Sequence, residues 1–310
     1  MGDQVKRDLL SIADLSSDEI MSLIETAVSL KKKNTSSREL AERSLALIFE
    51  KPSLRTRISF DIAMWQLGGH VVYLSPDEVG IGSRESVRDI AQVLSRYVSG
   101  IAARTFSHNT LIELVKYATV PIINALSNEE HPCQALADLM TIYEAKGGIT
   151  GVTLAYVGDG NNVANSLLYM AAKVGMDFRI ASPAGYSISE ERLARAEEMA
   201  QASGSKIVCI NDPQEATEYA DVIYTDVWTS MGQEAERDER RKAFAGFQVT
   251  RSTLSKGKKG SIFMHPLPAH HGEEVADGVL YAPNSEVFRQ AENRLHAQKA
   301  LLLELLSNRG

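Results

Sequence analysis

The sequence predicts an α/β protein of two domains, each a mostly parallel sheet flanked by helices. Three observations carry that prediction. Short apolar runs of strand length alternate with longer segments whose apolar residues recur at helical spacing, the pattern of parallel strands joined by helical crossovers. At 310 residues the chain is long for one hydrophobic core and comfortable for two. Near its middle the stretch Lys146-Gly147-Gly148-Ile149-Thr150-Gly151 interrupts the alternation, which makes it the best boundary between halves.

In the first half, Ile20, Leu23, Ile24, Ala27 and Leu30 follow a Ser16-Ser17-Asp18 cap signal and predict a helix over 16–33. Ala46 to Phe49 reads as a buried strand, and a helix over 57–67 ends at Gly68-Gly69. A strand over 70–74, a polar loop over 75–84 and a helix over 85–97 follow, then a strand over 100–104, a helix over 110–117 and a strand over 120–124. The second half repeats the style, with strands over 152–157, 177–181, 206–210 and 221–225 and helices over 163–174 and 190–202. A final helix over 290–306 carries Leu301, Leu302, Leu305 and Leu306, which need a core to bury them.

The composition, 44% hydrophobic and 24% charged, is that of a soluble globular protein. A net charge of -7 argues against nucleic acid or an anionic membrane as a partner. Lys31 to Lys33 and Lys256 to Lys259 are short basic clusters beside polar or turn residues, and read as solvated surface. Nothing resembles a signal peptide, and no apolar run nears the roughly 20 residues that span a bilayer. Cys133 and Cys209 lack CxxC spacing and are expected as reduced thiols of a cytosolic protein.

Ligands of open α/β sheets bind beyond the carboxyl ends of strands, so motifs that directly follow strands carry most weight. Ser53-Leu54-Arg55-Thr56-Arg57 follows a strand and opens a helix. A helix N-terminus offers unpaired N–H groups and partial positive charge, Ser53 and Thr56 add hydroxyls, and Arg55 adds a charge-assisted fork: a phosphate site. The bland alternative is an N-cap beside surface arginines. His131-Pro132-Cys133-Gln134-Ala135-Leu136-Ala137-Asp138 also opens a helix beyond a strand. His131 and Gln134 share a helical face, where an imidazole can donate to a developing oxyanion and an amide can bond an amide. A lone histidine there would more often be a structural cap, and Cys133 lies off that face, against a nucleophilic role.

Together these two motifs resemble the aspartate/ornithine carbamoyltransferase family, and the resemblance runs nearly end to end. Asp226-Val227-Trp228-Thr229-Ser230-Met231-Gly232 is similar to the ornithine branch's D-x-W-x-S-M-G, as are Gly158 to Asn162 and Ala291 to Arg294. The resemblance implies a carbamoyl-phosphate-binding domain over 1–147, an ornithine-binding domain over 148–288, and a C-terminal helix over 289–310 packing back on the first domain. It implies that Ser53, Leu54, Arg55 and Thr56 hold phosphate, with Arg104 bridging phosphate and carbonyl. His131 and Gln134 would hold the carbamoyl end, Asn162, Asp226, Ser230 and Met231 the ornithine. The carbonyls of Pro266 and Leu267 would accept from the carbamoyl NH2, and Arg294 would close the site. Arg55, Thr56, Arg104 and His131 are thereby the expected catalytic set. The partners implied are carbamoyl phosphate, L-ornithine and two further copies of the chain in a homotrimer with shared sites; no cofactor is required.

Two positions depart from the family pattern. His265-Pro266-Leu267-Pro268 stands where the ornithine branch reads H-C-L-P, and Gly80 stands where a glutamine is usually donated across a subunit interface, with Arg84 a candidate substitute. These departures leave putrescine or aspartate as alternative acceptors and a catalytically silent paralogue as an alternative role. A dehydrogenase reading of Val152 to Gly160 fails, because the turn lacks the third glycine and no acidic residue ends the next strand. His265, His270, His271, Glu273 and Glu274 invite a metal, but without H-E-x-x-H or a thiolate they are expected as a polar loop.

Overall fold

The computed structural model describes residues 6–81, 84–230 and 232–307, and the side chains of all of these but 77 and 78. Chain contacts divide it into two compact units: the described residues up to Ala137 with those from Asn293 onward, and Asp138–Glu292. The chain passes between them inside two helices.

The first unit is built on four strands, β1 (Ser44–Phe49), β2 (His70–Leu74), β3 (Gly100–Arg104) and β4 (Ile122–Leu126), in the order β2-β1-β3-β4, every pair parallel. β1 and β3 lie inside the sheet and are nearly continuous buried apolar runs, as strands covered on both faces must be. The edge strand β2 alternates exposed and half-buried residues. Ala46, Ile48, Ile101, Ala103 and Ile122 form a core with Ile90 of α4 (Val87–Leu94) and with Leu111 and Leu114 of α5 (His108–Tyr117). Preceding the sheet is α1 (Ser17–Lys33), which starts on a capping box: Glu19 N–H donates to the Ser16 hydroxyl and Ser16 N–H to the Glu19 carboxylate. Between β1 and β2 runs α2 (Leu54–Gln66). The expected polar loop after β2 holds a single helical turn, α3 (Pro76–Val79), and the helix expected over 85–97 is shortened at both ends to α4, with Ser86 capping its start and Ser95 its end.

The second unit holds β5 (Thr153–Val157), β6 (Asp177–Ala181), β7 (Ile207–Ile210), β8 (Val222–Thr225) and β9 (Ile262–Met264), ordered β7-β6-β5-β8-β9 and again parallel throughout. Its helices are the end of α6 (Pro132–Lys146), α7 (Asn162–Val174), α8 (Glu190–Ser203), α9 (Pro213–Thr217), α10 (Arg237–Ala243), α11 (Arg251–Ser255) and the start of α12 (Val287–Leu306). Ala155, Val157, Ile223, Phe263, Val249 and Val275 anchor its core. Cys209 is exposed because β7 is an edge strand, whereas Cys133 is buried in α6.

From Asn293 onward α12 belongs to the first unit, as the family resemblance implied. Ala297, Ala300, Leu301, Leu302 and Leu306 are buried, Arg294 donates to the Thr56 hydroxyl, and Lys299 donates to the Gln66 amide oxygen.

In each sheet the chain winds outward in both directions from one pair of strands: β1 and β3 in the first, β5 and β8 in the second. At such a switch point the loops leave in opposite directions and open a crevice at the carboxyl ends. The turn after β5 is backbone-crowded. A Cβ at Gly160 would lie 2.5 Å from the Ile188 nitrogen and from the Ser187 carbonyl carbon. Gly160→Ala is therefore expected to destabilise the fold by about 1–3 kcal/mol, the usual cost of overpacking. A lowered urea midpoint at unchanged m-value checks this.

Candidate active site

The sequence-predicted residues of the first unit come from the carboxyl end of β3, the start of α2 with its cap, the segment after β4 that opens α6, and α12. Phe49 and Arg104 are register partners at the ends of those strands. Ser53 is the N-cap of α2, extended in backbone, its hydroxyl accepting from Thr56 N–H at 3.2 Å. Ser53 thus spends its acceptor on the cap and leaves its proton available. Thr56 is fully buried, and its hydroxyl accepts from Arg294 Nη2 at 2.7 Å. Leu54 is 69% exposed, so what it can offer an anion is its N–H in the first turn of the helix. Arg57 turns the other way, its guanidinium 3.7 Å from the centroid of Tyr73 on β2.

The electrostatics are set by burial first and by like charge after it. Burial, then Arg294 and Arg55, push Arg104 down to about 10, so it stays a cation at neutral pH. Buried His131 is held well below its ordinary range by desolvation and by Arg294, Arg104 and Arg55 in turn. It is a neutral imidazole, a hydrogen-bond donor and not a charge. Gln134 lies next to it in the first turn of α6 and is equally buried. Burial raises the Cys133 thiol to about 12, and its Sγ sits 3.5 Å from the Asn124 carbonyl oxygen; it is no nucleophile. Such a cluster suits a polyanion carrying a carbonyl, with Thr56, Arg104 and His131 as oxyanion donors.

The second unit's residues gather at the switch point of β5 and β8. The strand ends are tied together by the Thr225 hydroxyl donating to the Val157 carbonyl at 2.6 Å. Asp226, the next residue, is buried, which raises its carboxyl above the usual range, against hydrogen bonds from Asn161 Nδ2 and its neighbour Val227 N–H, both at 2.8 Å. Asn161, which the sequence reading passed over, caps α7 with its amide oxygen and orients Asp226 with its amide nitrogen. Asn162, the expected contact, is the first residue of α7 and half-buried. Ser230 is half-buried, its N–H donating to the Gln233 amide oxygen at 3.0 Å; Met231 lies outside the described residues.

Arg240, also missed, is a buried strut. Its Nη1 donates to Asp159 after β5 at 2.9 Å and to the Trp228 carbonyl after β8 at 3.0 Å, while Nε holds Glu236. Burial pushes Asp159 up to about 6 even against the pull of this guanidinium.

Pro266 and Leu267 follow β9. Leu267 has φ +58°, in the left-handed region, and precedes a cis proline. Its N–H donates to Nδ1 of fully buried His265 at 2.9 Å, which fixes that imidazole as the Nε2–H tautomer facing Glu274 at 3.2 Å. His265 N–H donates to Gln290 Oε1.

Comparisons with known proteins show the family. Sequence models of the aspartate/ornithine carbamoyltransferase family match both halves: its carbamoyl-P binding domain over residues 7–144 and its Asp/Orn binding domain over 150–305. The chain is 52% identical over 303 residues to ornithine carbamoyltransferase of Anoxybacillus flavithermus, covering 97% of this chain and 96% of that relative. It is 52% identical over 299 residues to the anabolic ornithine carbamoyltransferase of Pyrococcus furiosus, with coverages of 96% and 95%. The solved structure of ornithine carbamoyltransferase from Pyrococcus furiosus superposes with a TM-score of 0.94 at 51% identity, covering 97% of each chain.

The cationic cluster generates a prediction that needs no turnover. Inorganic phosphate is expected to raise the unfolding temperature, since an anion that binds only the folded state adds about 2.7 kcal/mol at 100 times its Kd. Arg55→Ala should weaken phosphate binding by about 10- to 100-fold, the worth of one charge-assisted bond. Titration calorimetry beside thermal melts measures both; equal phosphate affinity in a folded Arg55→Ala variant would remove Arg55 from the anion site.

Proposed function

The chain belongs to the aspartate/ornithine carbamoyltransferase family, and from that premise we propose that it transfers the carbamoyl group of carbamoyl phosphate to the side-chain amine of L-ornithine, giving L-citrulline and phosphate. The observation that carries this reading is that each unit has a switch-point site, and the two differ in character: arginines with a neutral histidine in one, a buried aspartate in the other. Residues 1–147 are read as the carbamoyl-phosphate domain and 148–288 as the ornithine domain.

In the proposed reaction Ser53, Thr56, the first N–H groups of α2, Arg55 and Arg104 hold the phosphate. Gln134 and the carbonyls of Pro266 and Leu267 hold the carbamoyl NH2. The neutral amine of ornithine attacks the carbonyl carbon and a C–N bond forms. The carbonyl oxygen gains negative charge, which Thr56, Arg104 and His131 stabilise; one such donor is worth about 3–4 kcal/mol. The tetrahedral intermediate collapses as the C–O bond to phosphate breaks, and the amine proton passes to the departing phosphate. The leaving phosphate departs into arginines that already hold it. Asp226 orients the attacking amine, and Asn162, Ser230 and Met231 recognise the rest of ornithine. No step calls for a metal or a cofactor.

Asp226 also supports the choice of acceptor, because a buried carboxylate favours an ammonium and repels an acceptor carboxylate. Ornithine is therefore expected to outpace aspartate in carbamoyl transfer at equal concentration, with putrescine, which Asp226 does not disfavour, run as a second competing acceptor. A colorimetric citrulline assay beside the two competing acceptors decides it, and faster carbamoylation of aspartate would move the protein to the other branch. The relative from Pyrococcus furiosus is named anabolic, and the biosynthetic direction is the one proposed here.

We further propose a cytosolic homotrimer. No helix among the described residues is long and apolar enough to cross a membrane. Leu54, Ile58, Ile62 and Trp65 form an exposed apolar stripe along α2, at 69%, 51%, 38% and 67% exposure, beginning at the phosphate site itself. Water contact along such a row favours burial against another copy. Joint substitution Ile58→Glu and Trp65→Glu should yield monomers in sedimentation velocity, with far-UV circular dichroism unchanged. Arg84 is proposed to reach a neighbouring subunit's site. Recovered activity on mixing inactive Arg55→Ala and Arg84→Ala chains is the expected result, and none would end that assignment.

A further inference from the structure

The turn after the acceptor-side segment holds a cluster that the transfer reaction does not use. Gly272, at φ +85°, reverses the chain so that His270 comes to lie over two consecutive glutamates, with Glu273 N–H donating back to the His270 carbonyl. One donor atom each from His270, Glu273 and Glu274 lie within 4.8 Å of one another. Both glutamates are buried, at 5% and 0% exposure.

Each carboxylate is used by the protein on one side only. Glu273 Oε1 accepts from Arg237 Nη2 at 2.6 Å and lies 3.7 Å from Arg241 Nε. Glu274 Oε1 accepts from His265 Nε2 at 3.2 Å and from His270 N–H at 2.5 Å. The second oxygen of each, and His270 Nδ1, are buried without a hydrogen-bond partner. His270 Nδ1 and Glu274 Oε2 are 3.9 Å apart. Buried polar atoms left in this state are uncommon in folded proteins, and three on residues whose donor atoms cluster within 4.8 Å are a set of lone pairs that a cation would satisfy.

We propose that His270, Glu273 and Glu274 bind one divalent first-row transition-metal ion, such as Zn2+ or Mn2+, through one imidazole nitrogen and two carboxylate oxygens. The donor set suits such ions, and Arg237, Arg241 and His265 supply the outer contacts that orient ligating carboxylates. Two donors on one ion at about 2.0–2.2 Å are at most about 4.4 Å apart, so the cluster must tighten by a few tenths of an ångström. His270, half-exposed on the loop, is the member able to move. Because Glu274 also grips His265, the ion would brace the turn that carries Pro266 and Leu267. Its test reads metal binding and unfolding, and does not depend on the carbamoyl-transfer reading.

The test uses the full chain, stripped with a chelator and dialysed. Equilibrium dialysis with Zn2+ or Mn2+ should give one ion per chain, and the ion should raise the unfolding temperature. His270→Ala and Glu273→Gln should each weaken binding at least tenfold and abolish the thermal shift, while His271→Ala, one residue away, should not. Co2+ in the same protein should show no thiolate charge-transfer band, separating this site from exposed Cys209. Circular dichroism confirms folding of each variant. Absence of saturable binding, or unchanged binding in both folded variants, would overturn the proposal.

Discussion

Like charge held together is the constraint on which the first unit depends. Arg55, Arg104 and Arg294 come from a helix N-terminus, a strand end and the far end of the chain, and Arg104 is depressed by the other two. Such groups separate in a flexible segment. Here each is fixed by an element that cannot yield: α2 by its Ser53 cap, β3 by its place inside a parallel sheet, and α12 by its buried leucines. The Arg294 to Thr56 hydrogen bond links the last of these helices to the first turn of α2. In the proposed reaction the return of α12 serves function as well as packing, since it is what brings Arg294 to Thr56. An anion that neutralises the cluster relieves a cost already carried by the fold, which is what preorganisation means in electrostatic terms.

The second unit inverts the sign and keeps the geometry. Asp226 directly follows β8 as Arg104 ends β3, each at the end of the later strand of its sheet's switch-point pair. A buried carboxylate is costly to ionise, and Asn161 and the Val227 N–H recover part of that cost. The Arg240 strut then makes the loops after β5 and β8 move as one, because a guanidinium that lets go of Asp159 leaves two buried charges exposed to a low dielectric. The rigidity of the acceptor site comes from residues that touch no substrate in the proposed reaction.

What was legible in the sequence was what is local. The alternation of strands and helices located most of the elements, and Ser53 to Thr56 and His131 to Gln134 stood out because cap, strand end and reactive side chains are neighbours in the chain. Arg294 entered only through the family resemblance, since nothing near it in sequence shows that α12 returns. Asn161 and Arg240 were missed for a related reason: their partners, Asp226 and Asp159, are brought to them by strand pairing, and strand order is not written in periodicity. β9 escaped because three residues carry no pattern, and α9, α10 and α11 because one or two turns have too few apolar positions to show a face. The exposed stripe of α2 was hidden because the apolar residues of this helix are spread around its axis among Arg55, Arg57, Ser59 and Asp61, so that no single apolar face marks which of them are buried.

The proline at 266 shows how a position can drift while its role stays. The proposed work of this segment is done by backbone carbonyls, and a carbonyl is supplied by any residue. What must be preserved is their direction, which depends on the left-handed conformation of Leu267, a state that costs a non-glycine residue about 1–2 kcal/mol. The structure offsets that cost with buried side chains outside the carbonyl pair: His265 Nδ1 receives the Leu267 N–H, Glu274 holds the imidazole in the tautomer that can do so, and Gln290 anchors the His265 N–H. None of these interactions uses the side chain or the nitrogen of residue 266. A thiol at that position would add one weak polar contact near the acceptor, but the turn itself is shaped by His265, Glu274 and Gln290. Replacing the thiol by a proline ring, which keeps its carbonyl and gives up only an N–H, leaves the geometry in the hands of the residues that set it.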